Sequence, residues 1–289
     1  MFKKKILVSG MLTLSMMSAT AMVSAKTLVM GLIPAENNEE MISKFEPMRA
    51  YLEKKTGQKV KVFTATSYAG VVEAMKKKRV DIAWFGPLSY YLAEQEAGAE
   101  PFAVGVRQDG KSTYRSILVV PGDSSARTIM DLKGKNAAFV DPASTSGGLM
   151  PSYLVKKATG MMPQDFFGKF TYSGSHDAAE LAVKNKTVDV AADNDITYPR
   201  MLGKGLISKE SNRILLESPD LPGSPLTYRK DLPGKLKKAI REAIVNAHKE
   251  IKVAGYGNII RYDSVKASDY QMIRNMVKEL GLKKEQMMK

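Results

Sequence analysis

The sequence predicts an α/β protein built as two similar lobes around a cleft, and three observations carry that expectation. Runs rich in Val, Ile and Phe alternate with helix-length amphipathic stretches along most of the chain. The segment Tyr68 to Gly86, "YAGVVEAMKKKRVDIAWFG", recurs without a gap as His176 to Asn194, "HDAAELAVKNKTVDVAADN". Turn-rich points near Pro121 and at Pro219 to Pro225 mark two crossings between halves.

Taken in order, Lys3 to Lys5 form a positive segment, Ile6 to Val23 an apolar and small-residue run, and "VSA" a small-residue end. That is the pattern of a signal peptide over residues 1–25, cleaved after Ala25, which predicts export to a periplasm or an equivalent space. No later stretch reaches the ~18 to 20 apolar residues of a spanning helix. The first lobe then reads as a strand in "TLVMGLI", a helix from Glu39 to Lys55, and a strand in "KVKVF". A helix from Tyr68 to Lys78, a strand in "VDIAWF", a helix from Pro87 to Ala97 and a strand in "ILVV" complete it. After "PGDSSART" a second series runs through "NAAFV", the helix following "STS", "KFTY", a helix from His176 to Lys186, "VDVAA" and "NRILLES". This division gives residues 26–120 and 225–289 to lobe 1 and residues 121–224 to lobe 2. The hinge strands are expected near Val120 to Gly122 and Glu217 to Ser224.

Composition narrows the function. The chain has no cysteine, so an exported protein of this size must draw its stability from a core. With no Cys and two His, a metal centre on thiolate or imidazole ligands is disfavoured, and nothing calls for a cofactor. The formal charge is +14; without the three lysines of the signal segment, 41 basic residues face 30 acidic ones, or +11. A basic balance favours anionic partners. Yet "KKKR", "KLKK" and "LKKEQMMK" fall on helix ends and outer faces without interleaved aromatics, which argues against a nucleic-acid partner.

The stretch "DPASTSGGLMPSYLV" places Ser144, Thr145 and Ser146, then two glycines, between a strand and a helix. Capping needs one hydroxyl. Three hydroxyls at the height of unpaired helix N–H groups, with Gly147 and Gly148 permitting close approach, suit an anion; the plain alternative is a Ser cap with a flexible first turn. Pro151 removes a helical hydrogen bond and predicts an irregular first turn. His176 and Tyr68 stand at equivalent helix starts in the two copies, so each is a candidate donor from its own lobe. Trp84 and Phe85 end a strand in the first copy and Asp193 ends the matching strand in the second, where ligands of open α/β sheets sit. His248, in mid-helix, is assigned nothing.

Four segments together, "TSYAGVVEAMKKKRVDIAWFGPLSYY", "DPASTSGGLMPSYLV", "GSHDAAELAVKNKTVDVAADN" and "SPDLPGSPLTYRKDL", resemble the phosphate, phosphite and phosphonate-binding proteins of bacterial ABC transporters. The resemblance covers almost the whole mature chain. It implies a type II periplasmic-binding-protein fold, two α/β lobes joined by a two-strand hinge, closing on a phosphorus oxyanion, with an ABC permease as partner. By resemblance the oxyanion contacts fall on Tyr68, on Ser144, Thr145 and Ser146, and on His176. Two positions depart from the family pattern. Ile196 stands where members that bind aminoalkylphosphonates have an acid, with Asp193 or Asp195 able to compensate. Ser224 stands where many members have an Asp in the "PG-x-P" turn, with Tyr228 as an alternative cleft-facing donor.

Binding rather than catalysis follows from the missing parts of a hydrolase. "STSGG" lacks the first glycine of the G-x-S-x-G elbow, and a Ser146, His176, Asp193 triad is not demanded by spacing. A sensing protein of the same fold that hands its ligand to a signalling receptor is the alternative.

Overall fold

The computed structural model describes residues 27–289; the expected signal peptide and its cleavage point lie outside the described residues. In chain order the first part is β1 (Leu28–Leu32), α1 (Asn38–Thr56), β2 (Val60–Thr64), α2 (Tyr68–Lys76), β3 (Ile82–Trp84), α3 (Pro87–Ala97) and β4 (Ala99–Arg107). A short strand β5 (Thr113–Tyr114) leads into β6 (Ser116–Pro121), β7 (Asn136–Phe139), α4 (Met150–Thr159), α5 (Pro163–Phe166), β8 (Lys169–Tyr172) and α6 (His176–Lys184). Then come β9 (Val190–Asn194), α7 (Thr197–Gly203), β10 (Asn212–Glu217), β11 (Leu221–Pro222) and β12 (Pro225–Arg229). The chain closes with α8 (Gly234–Asn246), β13 (Ile259–Ser264), α9 (Gln271–Leu280) and α10 (Lys284–Met287). Among the described residues no helix is long and apolar enough to cross a membrane.

The strands form a six-stranded sheet, β13-β4-β12-β3-β1-β2, and a five-stranded sheet, β10-β6-β9-β7-β8. Each has a parallel trio with its first strand in the middle, β2-β1-β3 and β8-β7-β9, flanked by an antiparallel strand, β12 or β6, that arrives from the other half. The two sheets are connected through the ribbon β5–β11, in which Leu221 pairs with Tyr114 and Pro222 with Thr113.

The recurring segment is matched down to single hydrogen bonds. Ser67 caps α2 by accepting from Gly70 N–H at 3.1 Å, and Ser175 caps α6 by accepting from Ala178 N–H at 3.2 Å. Lys78 and Lys186 take left-handed φ of 57° and 53° just past the two helices. The Asp81 carboxylate accepts from Val29 N–H at 3.0 Å, and that of Asp189 from Asn136 N–H at 2.8 Å, so each locks its strand to the first strand of its sheet. One difference remains: Asp81 also pairs with buried Arg229 at 3.2 Å.

The boundary expected at residue 120 is corrected by the sheets. β6 is a central strand of the second sheet, between β10 and β9, and Pro121–Gly122 is the turn at its far end; the crossing lies at β5, before Ser116. The error came from β4. "AEPFAVGVR" carries Pro101, two charges and Gly105, so it lacked a strand signature, and "ILVV" took its place as the last strand of the first half. The irregular turn expected before Pro151 is a single π-turn at Thr145–Leu149, with the Met150 N–H donating to the Thr145 carbonyl.

One apolar cluster packs the six-stranded sheet and continues through Ile117, Val119, Val140, Ala143 and Leu149 of the second half. A smaller one, around Phe139, Val155, Phe166 and Phe167, lies within the second half. The apolar contact is therefore continuous across the cleft: this is a closed arrangement.

Candidate functional site

Four helix starts meet at the seam. Those of α2 and α3 come from the first half, and those of α6 and the π-turn from the second. Several of their N–H groups are satisfied from the opposite half. The Asp141 carboxylate accepts from Tyr68 N–H at 3.2 Å, the Thr145 hydroxyl accepts from Leu88 N–H at 2.8 Å, and the Ala35 carbonyl accepts from His176 N–H at 3.0 Å. Beside them the Arg200 guanidinium pairs with Glu36 at 2.7 Å and Glu40 at 3.0 Å, again across the seam.

These contacts border a small cavity, onto which Tyr68, Trp84, Ser144, Thr145, Ser146 and His176 open. The triple hydroxyl sequence resolves into separate tasks. Ser144 accepts from Gly147 N–H at 3.1 Å and Thr145 caps α3, so each hydroxyl keeps its own hydrogen to donate. The N–H groups of Thr145 and Ser146 have no hydrogen-bond partner among the described residues, as the first donors of a helical turn require. Ser116 donates to the Ser146 carbonyl at 2.6 Å and so anchors the turn to β6.

His176 is buried, with Nδ1 2.7 Å from the Asp193 carboxylate. The Asn194 amide stands beside the same ring, 3.1 Å from Nδ1 and 3.2 Å from Nε2. Burial pushes the imidazole pKa down to about 4, so the ring is neutral near pH 7. Behind it Asp193 faces Glu180; burial raises both carboxyls, and the charge of Asp193 raises Glu180 further while the hydrogen bond from Glu180 draws Asp193 partly back down. Glu180, pushed up to about 10, is protonated and donates to Asp193, while its Oε2 accepts from Asn212 at 2.6 Å. Burial also raises the phenols of Tyr68, Tyr114 and Tyr256, so all three remain protonated donors.

Not every expected residue reaches the cavity. Ser224 does; Phe85, Gly147, Asp193 and Tyr228 do not. Phe85 is fully buried in the core, one strand position past Trp84 and so on the opposite face. Gly147 is required by packing, because a Cβ there would sit 2.3 Å from Val140 Cγ2. Asp193 acts through His176. Tyr228 stacks on Phe102 at 4.7 Å, away from the cleft.

The cavity is completed by residues that sequence reasoning missed, among them Gly86, Tyr114, Asn194 and Tyr256. Gly86 and Asn194 are the last equivalent pair of the recurring segment, so the repeat carried a signal for them. Tyr114 and Tyr256 come from short irregular stretches, "STYRS" and "AGYGN", with no pattern to mark them. The Asn194 amide donates to Tyr256 at 3.0 Å, and Tyr256 packs on Trp84 with ring centroids 5.0 Å apart.

Chemically the cavity presents N–H and O–H groups from both halves, and no carboxylate, lysine or arginine lines it. Such a site suits a compact oxyanion held by neutral donors and helix dipoles. A hydrolytic triad is not assembled: the hydrogen-bond partners of the His176 ring are Asp193 and Asn194, and no serine is among them. No cluster able to hold a metal ion occurs among the described residues.

Comparison with known proteins gives a consistent result. A family model described as "ABC transporter, phosphonate, periplasmic substrate-binding protein" matches residues 30–270. A phosphonates-binding periplasmic protein of Escherichia coli is 34% identical over 265 residues, 90% of this chain and 77% of that protein. A phosphate-import protein of Mycolicibacterium smegmatis is 32% identical over 203 residues, 66% of this chain and 61% of that one. Among solved structures, a binding-protein component of an ABC phosphonate transporter from Pseudomonas aeruginosa aligns with a TM-score of 0.79 and 28% identity. The alignment covers 87% of this chain and 85% of that one.

Proposed function

Since the chain belongs to the periplasmic substrate-binding family of phosphonate ABC transporters, we propose that it captures a small phosphorus oxyanion, a phosphonate, phosphite or phosphate, in the closed cavity and delivers it to a permease. The observation that carries this reading is the convergence of Tyr68, Ser144, Thr145, Ser146 and His176 on one buried cavity without a lining carboxylate. In this reading the phosphoryl oxygens take the free N–H groups of Thr145 and Ser146 and the hydroxyls beside them, with the Tyr68 phenol closing from the first lobe. With Nδ1 on Asp193, the Nε2 side of His176 is the edge a ligand oxygen would meet in place of the Asn194 amide at 3.2 Å, the neutral ring accepting from a P–OH and the protonated ring donating to P–O⁻. Tyr68, Trp84 and Tyr256 come from the first half and Ser144, Thr145, Ser146 and His176 from the second, so bound ligand ties the lobes together and favours closure.

The test is calorimetry on protein freed of ligand by unfolding and refolding, with phosphate, phosphite, methylphosphonate and sulfate. At least one phosphorus oxyanion is expected to bind with a Kd of about 1 μM or tighter, roughly 8 kcal/mol, and sulfate much more weakly. Heats indistinguishable from dilution for all three phosphorus ligands would remove the reading.

A further inference from the structure

A second small cavity adjoins the first, and Trp84, Tyr114, Ser224 and Tyr256 line both. A ligand whose phosphoryl group sits at the Ser144–Ser146 turn can therefore pass a substituent beyond Ser224 and the Trp84–Tyr256 pair into this space. Its far wall differs in chemistry from the phosphoryl cavity. Arg107, Lys111, Ser112 and Thr113 come from the end of β4, the turn that follows and the start of β5, and no acid lines it. Ile196, at the position where the aminoalkylphosphonate binders of the resemblance carry an acid, lies on this wall. There it packs on Gly257, where a Cβ would stand 2.9 Å from Ile196 Cγ2.

Resting on the phosphorus-oxyanion reading above, we infer that this cavity is a tail subsite for a phosphonate whose short substituent ends in an anion, such as a carboxylate, and that it excludes an ammonium tail. Arg107 is partly engaged, with Asp109 at 3.3 Å and Asp195 at 3.9 Å. Lys111 makes no ion pair among the described residues, so it is the cation free to meet the tail. A tail ammonium would meet that cation with no lining carboxylate to accept it, whereas a carboxylate gains Lys111 and the hydroxyl of Ser112. Of the acids around this wall, Asp109 and Asp195 face Arg107, and Asp220 pairs with Arg115 while accepting from the Thr113 hydroxyl.

The experiment compares four ligands on the refolded protein by calorimetry: methylphosphonate, propylphosphonate, 2-aminoethylphosphonate and 3-phosphonopropionate. The carboxylate is expected to bind at least tenfold tighter than the amine and tighter than propylphosphonate. Lys111→Met should lower the ratio of 3-phosphonopropionate to propylphosphonate affinity by roughly fivefold or more. Ile196→Glu should raise the ratio of 2-aminoethylphosphonate to methylphosphonate affinity at least tenfold. If methylphosphonate binds but the amine equals or exceeds the carboxylate, or Lys111→Met leaves the first ratio unchanged, the tail assignment is wrong and the oxyanion reading stands. If none of the four binds, and phosphate and phosphite also fail, the underlying reading falls and the tail subsite with it.

Discussion

Replacing Thr145 by Ala tests the cavity and the seam at once, because its hydroxyl opens onto the cavity while accepting from Leu88 N–H of the other half at 2.8 Å. Losing a hydrogen bond to a charged ligand costs about 1.5 to 3 kcal/mol. Losing the cap of α3 costs about 1 kcal/mol more, and only in the closed state, where that bond exists. Together they predict weaker binding by about 2.5 to 4 kcal/mol, roughly 60- to 700-fold at 1.4 kcal/mol per decade; as the two bonds share one oxygen, the upper end is a bound. Thr145→Ser keeps the hydroxyl and loses a methyl group worth about 0.8 kcal/mol, roughly fourfold. Calorimetry with the tightest phosphorus ligand reads both, alongside melting of the ligand-free proteins. In these the Ala variant should shift by less than the roughly 2 to 4 °C that 1 kcal/mol produces in a chain of this size, as expected where ligand is what holds the lobes closed. Thr145→Ala within threefold of wild type, or Thr145→Ser as weak as Thr145→Ala, would refute the assignment of the hydroxyl to ligand and seam.

Because His176 is neutral with its pKa pushed down to about 4, an oxyanion beside Nε2 should raise that value and draw in a proton. Binding enthalpies in two buffers of different ionisation heat should then differ between pH 5 and 7, and identical enthalpies would mean that the ring stays a neutral acceptor. The raised carboxyls of Glu180 and Asp193 keep protons that the unfolded chain has already released, so they lower stability as pH climbs from the ordinary carboxylate range toward their folded values. Glu180→Gln keeps a donor to Asp193 without the titration, so its melting temperature relative to wild type should rise from pH 4.5 to pH 8; a difference independent of pH would contradict the raised Glu180 carboxyl. Ser224 lines both cavities, so Ser224→Asp should impose a preference for the protonated ligand. Its affinity relative to wild type then falls about tenfold per pH unit above the ligand's second pKa, and superimposable pH profiles would place that side chain outside ligand contact.

Much was legible in the sequence because it is encoded locally. Strand and helix alternation follows from hydrophobic period, and the recurrence of Tyr68 to Gly86 at His176 to Asn194 fixed two equivalent helix starts, which the Ser67 and Ser175 caps reproduce in space. Ser144, Thr145 and Ser146 stood out because they exceed what one cap needs. Tertiary structure alone decided the rest. Whether "ILVV" joins the first sheet or the second depends on which strands it meets, and β4, with its Pro and charges, is a strand because β12 and β13 pair with it on either side. Gly147 looked like room for a ligand, yet the Val140 side chain claims that space; Asp193 looked like a contact, yet one residue of strand period sets it behind His176 and turns Asn194 to the cavity. Tyr114 and Tyr256 reach the site from segments without periodicity, because a cavity between two lobes is lined by whichever side chains closure brings together, and that proximity is written in no single stretch of chain.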